Sequence, residues 1–389
     1  MRIGLLTYHS ATNFGANLQA LSTVSYLKNN GHEVIVINWV PEDLEGYYKK
    51  NVSSDQVKVH DDFVKRYFTM SELCRTSKDV RSVIEKFNLE CIIIGSDAVF
   101  SYIPFLKRIH LSRKTFLGIK NVTSDHKFPN PFWADFLYDN DKFKVVAMSA
   151  SAQYLDFSKC FWWTKNQLRK HLGRFSHITV RDRYTKKLVD TLLNTSVNIT
   201  PDPVFSFNVN FSQFIDEEVF RARYGLPEKY VVLSFCNLLY PSDWYESLYQ
   251  IFKKNGYLVV NLAMPEGCVE FKADIKIDTP LDPLDWYNII RFSSGYIGQR
   301  MHPMIVALHN LVPVYIFDHY VVTELESSKI YDLLERFDLK ASYYNVKTKI
   351  LPNVNEVYNA INNFDVMQLK RHVDTMAEKY LDMMKTLIK

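Results

Sequence analysis

The sequence lacks the short motifs that announce the commonest enzyme chemistries. It contains no G-x-x-x-x-G-K-[ST], no H-E-x-x-H, no G-x-S-x-G and no aspartate pair at metal spacing, which argues against kinase, metalloprotease and serine-hydrolase readings. Cysteine is sparse. Cys74, Cys91, Cys160, Cys236 and Cys268 stand singly, with no C-x-x-C. Neither a zinc site nor a disulfide framework is therefore expected, and an odd, unpatterned set suits a reducing compartment. With only 12 glycines and 14 prolines, scattered, fibrous and low-complexity readings fall away. No apolar run approaches the ~18 residues of a membrane span, and no repeat recurs at a period of about 20–50 residues.

Excess charge is also nearly absent. A formal net charge of +4 is too small to demand nucleic acid, and no basic stripe accompanies a nucleic-acid motif. It leaves room for an anionic small substrate, which needs only a local cluster. The opening run reads as a strand and not a signal peptide, because it stops at polar His9 and Ser10 before an h-region could form. The expectation is a soluble, cytoplasmic protein able to reach the inner face of the cytoplasmic membrane.

What is present is alternation. A single core rarely grows past roughly 250–300 residues, so 389 residues suggest two domains. Apolar runs at 3–8, 34–39, 91–95, 145–149 and 177–180, with a weaker one at 197–200, suit buried parallel strands. Leu18, Leu21, Val24 and Leu27 mark a helix, with Gly31 beyond its end. A second set follows, with strands at 230–235, 257–262, 295–298 and 312–317. Helices are expected at 244–254, 284–292 and from Pro303. The fold class is α/β, with two doubly wound domains at 1–205 and 206–350. Helices over 351–389 return to the first domain, the last carrying Leu369, Val373, Met376, Tyr380, Met383 and Leu387 on one face. The cleft between domains is the expected site.

Residues 101–142 interrupt the rhythm. Lys107, Arg108, Arg113, Lys114 and Lys120 lie among Phe105, Phe116, Phe128, Phe132 and Trp133. Such a stretch is a lid or binding loop, or else a solvated insertion. Cys160–Lys165, followed by Arg169 and Lys170, sets aromatics beside cations. The preferred reading is an amphipathic helix with two core tryptophans; the other is a peripheral membrane contact near a lipid-linked substrate.

Four segments carry candidate chemistry. The run Thr7–Gln19 passes from strand to helix and holds His9, Asn13, Gly15 and Asn17; Gly15 lets backbone approach a ligand. Gly95-Ser96-Asp97 ends an apolar strand, where a carboxylate can accept a proton from a hydroxyl. Val180-Arg181-Asp182 ends another. Gly298-Gln299-Arg300-Met301-His302-Pro303 is the most informative. Pro303 suits the first helical position, so Arg300 and His302 flank a helix N-terminus, where guanidinium, imidazole and free amides can hold an anion.

Together these segments resemble the polysaccharide pyruvyl transferase family. The carriers are Asn13, Phe14, Gly15, Ala16, Leu18, Gln19 and Ala20, then Gly95-Ser96-Asp97, Ala147–Ser151, Val180-Arg181-Asp182, Asp202-Pro203-Val204 and the Arg300-Met301-His302 turn. Ala98, Phe100 and Pro303 depart from the family pattern. The resemblance covers about residues 1–320. It implies two Rossmann-like domains of GT-B type and phosphoenolpyruvate as donor with a saccharide, free or lipid-linked, as acceptor. No cofactor or metal is expected. On that basis Arg300, His302 and Arg181 would hold the donor, His302 would serve as general acid and Asp97 would activate the hydroxyl. His9, Asn13 and Asn17 would face the sugar, with Gly15, Ser96 and Gln299 completing the binding set. A nucleotide-sugar glycosyltransferase and a non-catalytic saccharide-binding protein are the alternatives.

Overall fold

The computed structural model describes residues 1–110, 118–153, 155–321, 324–348 and 350–389, without the side chains of residues 48, 49 and 110. Arg113, Lys114 and Phe116 lie outside the described residues. Two six-stranded parallel sheets form the framework. The first is built from β1 (Arg2–Leu6), β2 (Glu33–Val36), β3 (Cys91–Asp97), β6 (Lys144–Ala150), β7 (His177–Val180) and β8 (Asn198–Ile199). The short strands β4 (Ile109–His110) and β5 (Gly118–Ile119) pair separately and antiparallel. The second sheet holds β9 (Tyr230–Ser234), β10 (Leu258–Leu262), β11 (Ile275–Ile277), β12 (Gly295–Gly298), β13 (Val314–Asp318) and β14 (Tyr343–Asn345). The central strands are buried on both faces, as in the Cys91–Ile94 run, and such strands read as continuous apolar segments.

The strand orders locate the site. They are β2-β1-β3-β6-β7-β8 and β11-β10-β9-β12-β13-β14. The winding direction reverses between β1 and β3 in one sheet and between β9 and β12 in the other. A crevice opens beyond the strand C-termini at each such switch point. The loops leaving those strands hold Asn13, Asp97, Cys236 and Arg300, so three of the four segments singled out in the sequence converge by topology.

The two halves share one apolar core. Leu18 and Val24 of the first helix (Phe14–Asn29) belong to the same buried cluster as Leu262 and Met304 of the second half. Phe14 stacks on Trp286 at 5.0 Å between ring centres. Gln56 closes a second seam, donating to the Leu281 carbonyl (2.8 Å) and accepting from its amide (2.6 Å). The terminal helix Val366–Ile388 buries its apolar stripe on the first half. There Tyr380 meets Tyr26 edge-on at 5.7 Å, and Met383 Sδ accepts from Ser149 and Thr179, each at 3.4 Å.

Two local expectations are corrected. Trp162 and Trp163 are 70% and 51% exposed, so neither is a core residue. Pro303 is the third residue of the helix Met301–His309 and not the first. Its missing N–H therefore leaves two free backbone donors, on Met301 and His302, at the helix mouth. In the 101–142 segment, Phe132 and Trp133 are buried, while Asn121, Val122, Thr123, Asp125 and His126 border the interdomain cavity.

Candidate active site

A cavity of about 430 Å³ lies between the two halves. Asn13, Gly15 and Asp97 face it from the first half, and Arg300, His302, Tyr320 and Lys329 from the second. A more polar cavity of about 580 Å³ adjoins it and shares Asn13, Tyr47, Arg300 and Tyr320.

The β12 turn builds the second-half wall. Gln299 is fully buried and accepts from the Cys236 amide (2.7 Å), tying the turn to the end of β9. Arg300 occupies the N-cap position with φ 70°. A non-glycine residue in that region is strained and persists only when its surroundings over-determine it. Its guanidinium donates to Glu266 Oε1 (2.7 Å) and Cys236 Sγ (3.0 Å), which raises its pKa against the effect of burial. No side chain caps this helix among the described residues, so its positive end faces the cavity.

His302 packs against Gly15. A Cβ at Gly15 would lie 2.1 Å from His302 Cγ, so only glycine permits this seam. Burial pushes the imidazole below its ordinary value, opposed by Asp97 and Asp202 and reinforced by Arg181 and Lys329. Its Nε2 stands 3.7 Å from Asp202 Oδ2, without a hydrogen-bond partner among the described residues.

Beneath lies a buried ionic cluster. Arg181 donates to Asp202 Oδ2 (2.9 Å) and Asp97 Oδ1 (3.2 Å). Gln19 donates to Asp202 and, at 2.9 Å, to Ser96 Oγ. Burial opposes ionisation of Asp97, but Arg181, His302 and Lys329 outweigh it and hold the carboxyl at about 2. Asp97 also has φ 75°, a second strained residue at the site. One guanidinium thus bridges the buried Asp202 and the partly buried Asp97, and removing it would leave Asp202 without its ion-pair partner.

Several expected residues are not on the cavity. Arg181 is 2% exposed and committed to two aspartates, so it holds Asp97 and Asp202 in place and cannot reach a donor. His9 is buried, its ring between the Thr7 carbonyl and Asn38 Oδ1, each at 3.0 Å. Asn17 donates to the His9 carbonyl (2.9 Å). Ser96 is buried beneath Asp97, accepting from its amide at 2.7 Å. These are supports of the β1 and β3 loops. Asn13 caps the first helix by accepting from the Ala16 amide (3.2 Å) and borders both cavities, while Gln299 borders the second.

Lys329 was not legible beforehand. It opens the helix Lys329–Arg336, capped by Ser328, and reaches across to Gln153 Oε1 of the first half (3.2 Å) over the Tyr320 ring. Burial, with Arg181, pushes its ammonium down to about 8 against the pull of Asp97, Asp182 and Asp318. The Ser-Ser-Lys capping signal was readable, but nothing in the sequence aims this helix at the cleft. Asp202, quoted only as part of a resemblance, proves to be the hub of the ionic cluster. No group of three or more His, Cys, Asp or Glu among the described residues is placed to hold a metal ion.

The paired doubly wound domains and the cleft between them define a GT-B-like architecture. Solved structures agree. The chain is similar to a UDP-N-acetylglucosamine 2-epimerase, with 10% identity, 96% of this chain and 90% of that chain covered and a TM-score of 0.53. It is similar to the spinosyn rhamnosyltransferase SpnG (9%, 100% of both chains, 0.51). It also resembles the Neisseria meningitidis UDP-GlcNAc 2-epimerase bound to UDP-GlcNAc (10%, 95% and 100%, 0.50). Identities this low establish the fold alone. No curated protein matches by sequence. The model of the polysaccharide pyruvyl transferase family matches residues 13–320. The chain belongs to that family.

Proposed function

We propose that the protein transfers the enolpyruvyl unit of phosphoenolpyruvate to two hydroxyls of a saccharide, forming a pyruvate ketal and releasing phosphate. The observation that carries this reading is the convergence of Arg300, Lys329, His302 and an uncapped helix mouth on one interdomain cavity. A small dianionic donor needs such a cradle, and each charge-assisted hydrogen bond contributes roughly 1.5–3 kcal/mol. The adjoining cavity, with Asn13, Asn51, Asn237, Glu266 and Gln299 beside Tyr47 and Tyr320, suits a hydroxyl-rich acceptor.

The proton inventory follows from the site. Burial disfavours the imidazolium of His302 in the free protein, against the pull of Asp97 and Asp202. A dianion arriving beside it favours the imidazolium. The imidazolium gives its proton to the methylene carbon, which becomes a methyl group, and the neighbouring carbon becomes cation-like. The first hydroxyl adds there and its proton returns to His302. The second hydroxyl displaces phosphate, and its proton leaves with it. Arg300 and Lys329 stabilise the departing charge. Asp97 is reassigned: a carboxylate held at about 2 by Arg181 is a poor base. With Asp202 it supports the imidazolium instead.

The test is phosphate release from phosphoenolpyruvate with saccharide diols, with the ketal product identified by mass. His302→Ala should lower turnover by 10²-fold or more. Unchanged turnover in His302→Ala and Arg300→Ala would refute the assignment. A nucleotide-sugar glycosyltransferase is the competing reading, drawn from the UDP-GlcNAc bound to the N. meningitidis neighbour. Stabilisation by a UDP-sugar and not by phosphoenolpyruvate would favour it.

A further inference from the structure

The chain carries a second surface feature that the transfer chemistry does not use. Trp162 and Trp163 open the helix Trp162–Leu172 and point outward, 70% and 51% exposed. They touch edge-on at 6.0 Å, and Trp163 stacks on Phe161 at 4.4 Å. Soluble surfaces rarely keep adjacent tryptophans in water. The feature is not isolated. Lys165 lies 4.3 Å over the Phe157 ring, and the turn Phe157–Lys159 packs on the turn Phe105–Arg108. There Phe105 and Leu106 are again exposed. Ile119, in the strand that pairs with Ile109, is exposed too. One apolar ridge therefore runs from Trp162 to Ile119.

Among the described residues the short elements that carry these aromatics also hold or adjoin Lys107, Arg108, Lys120, Lys159, Lys165 and Lys170. Asp156, the carboxylate between the two turns, is already paired with Lys107 at 3.4 Å. A second copy of the chain seated on this ridge would set cation against cation. A surface that welcomes tryptophan side chains and offers many negative charges is a bilayer of anionic lipid, whose interface accepts aromatic rings while its phosphates attract lysine.

We propose that this ridge docks the protein on an anionic membrane. The placement matters because the ridge flanks the cleft. Ser151 follows the C-terminal end of β6, and Gln153, four residues before the Phe157–Lys159 turn, borders the main cavity. Asn121–His126, immediately after β5, border the same cavity. Docking would bring the cleft mouth to the bilayer surface, where an acceptor carried on a lipid is held. That last consequence rests on the function proposed above; the docking itself does not.

The experiment is co-sedimentation of the full chain with vesicles of phosphatidylcholine alone or with about one-third phosphatidylglycerol. Binding is expected only to the anionic vesicles and should weaken in 0.5 M salt. Trp162→Ser with Trp163→Ser, and separately Lys165→Glu with Lys170→Glu, should each weaken it at least tenfold. Neither pair should lower the melting temperature of the free protein by more than about a degree or two, because none of the four residues is buried. Failure to bind anionic vesicles, or equal binding by the variants, would overturn the proposal. So would a dimer that the tryptophan variant dissolves. Because no turnover is read, this result is independent of whether the pyruvyl transfer is correct.

Discussion

Replacing Gly15 with alanine perturbs the domain seam and the chemistry at a single atom. The added Cβ would stand 2.1 Å from His302 Cγ and 2.4 Å from Nδ1, whereas carbon atoms rest at roughly 3.5–4.0 Å. The shortfall is about 1.5 Å. Gly15 sits in the first turn of a fully packed helix, and His302 sits in the first turn of another whose buried face is equally packed. Neither backbone can yield cheaply. The clash is relieved by swinging the imidazole off the helix mouth or by parting the domains. Overpacking of this kind costs about 1–3 kcal/mol in stability, and a displacement of about 1 Å at a reacting group costs on the order of 100-fold in rate. Gly15→Ala should therefore remain folded, melt several degrees lower and lose about 100-fold in turnover. Gly46→Ala is the control. Nothing lies within 4 Å of a Cβ at that helical position, so it should keep full turnover and gain up to about 1 kcal/mol. Melting curves and phosphate-release rates read both. Turnover of Gly15→Ala within threefold of the parent would refute the seam as a constraint on the imidazole.

Lys329 at about 8 is charged below that pH and neutral above it, so kcat/KM for the donor should fall as pH rises through about 8. Lys329→Arg should remove that alkaline limb, and Lys329→Met should raise the donor KM by roughly 10–100-fold at pH 7. Arg181→Met takes the guanidinium from the buried Asp202 and from Asp97 and should cost about 3–5 kcal/mol in urea unfolding. Asp97 contributes to stability on the acid side, which urea unfolding at about pH 2–5 compared between the parent and Asp97→Asn would read. Held at about 2 in the fold against an ordinary 3.8, it supports the native state above about pH 4. That support fades as pH falls towards 2.

Much of the framework was legible because parallel sheets write themselves as apolar runs. Cys91–Ile94, Val145–Met148 and Tyr230–Leu233 are continuous and flanked by turn residues, and all are strands. The edge strands β11 and β14 were not legible, since Ile275–Ile277 and Tyr343–Asn345 are short and half-polar. The same limit governs the site. Asn13, Gly15, Asp97, Arg300 and His302 leave strand ends at switch points, so sequence position predicts their location. Arg181 also leaves a strand end, yet its side chain turns inward, because two aspartates 105 residues apart (Asp97 and Asp202) close on it only in the fold. Lys329 enters from a helix whose direction depends on how two domains pack. Aromatic residues at a helix start resemble a buried face in sequence, and only the third dimension shows Trp162 and Trp163 to be 70% and 51% exposed.

A dianionic three-carbon donor is expected to seat at the mouth of the Met301–His309 helix. A crystal of the protein grown with phosphoenolpyruvate tests this most directly. The expected density places an anionic group within about 3 Å of both Arg300 and Lys329 and the methylene carbon facing His302. Density for the ligand in the adjoining Asn51–Asn237 cavity, or none at millimolar concentration while a nucleotide sugar fills the cleft, would contradict it.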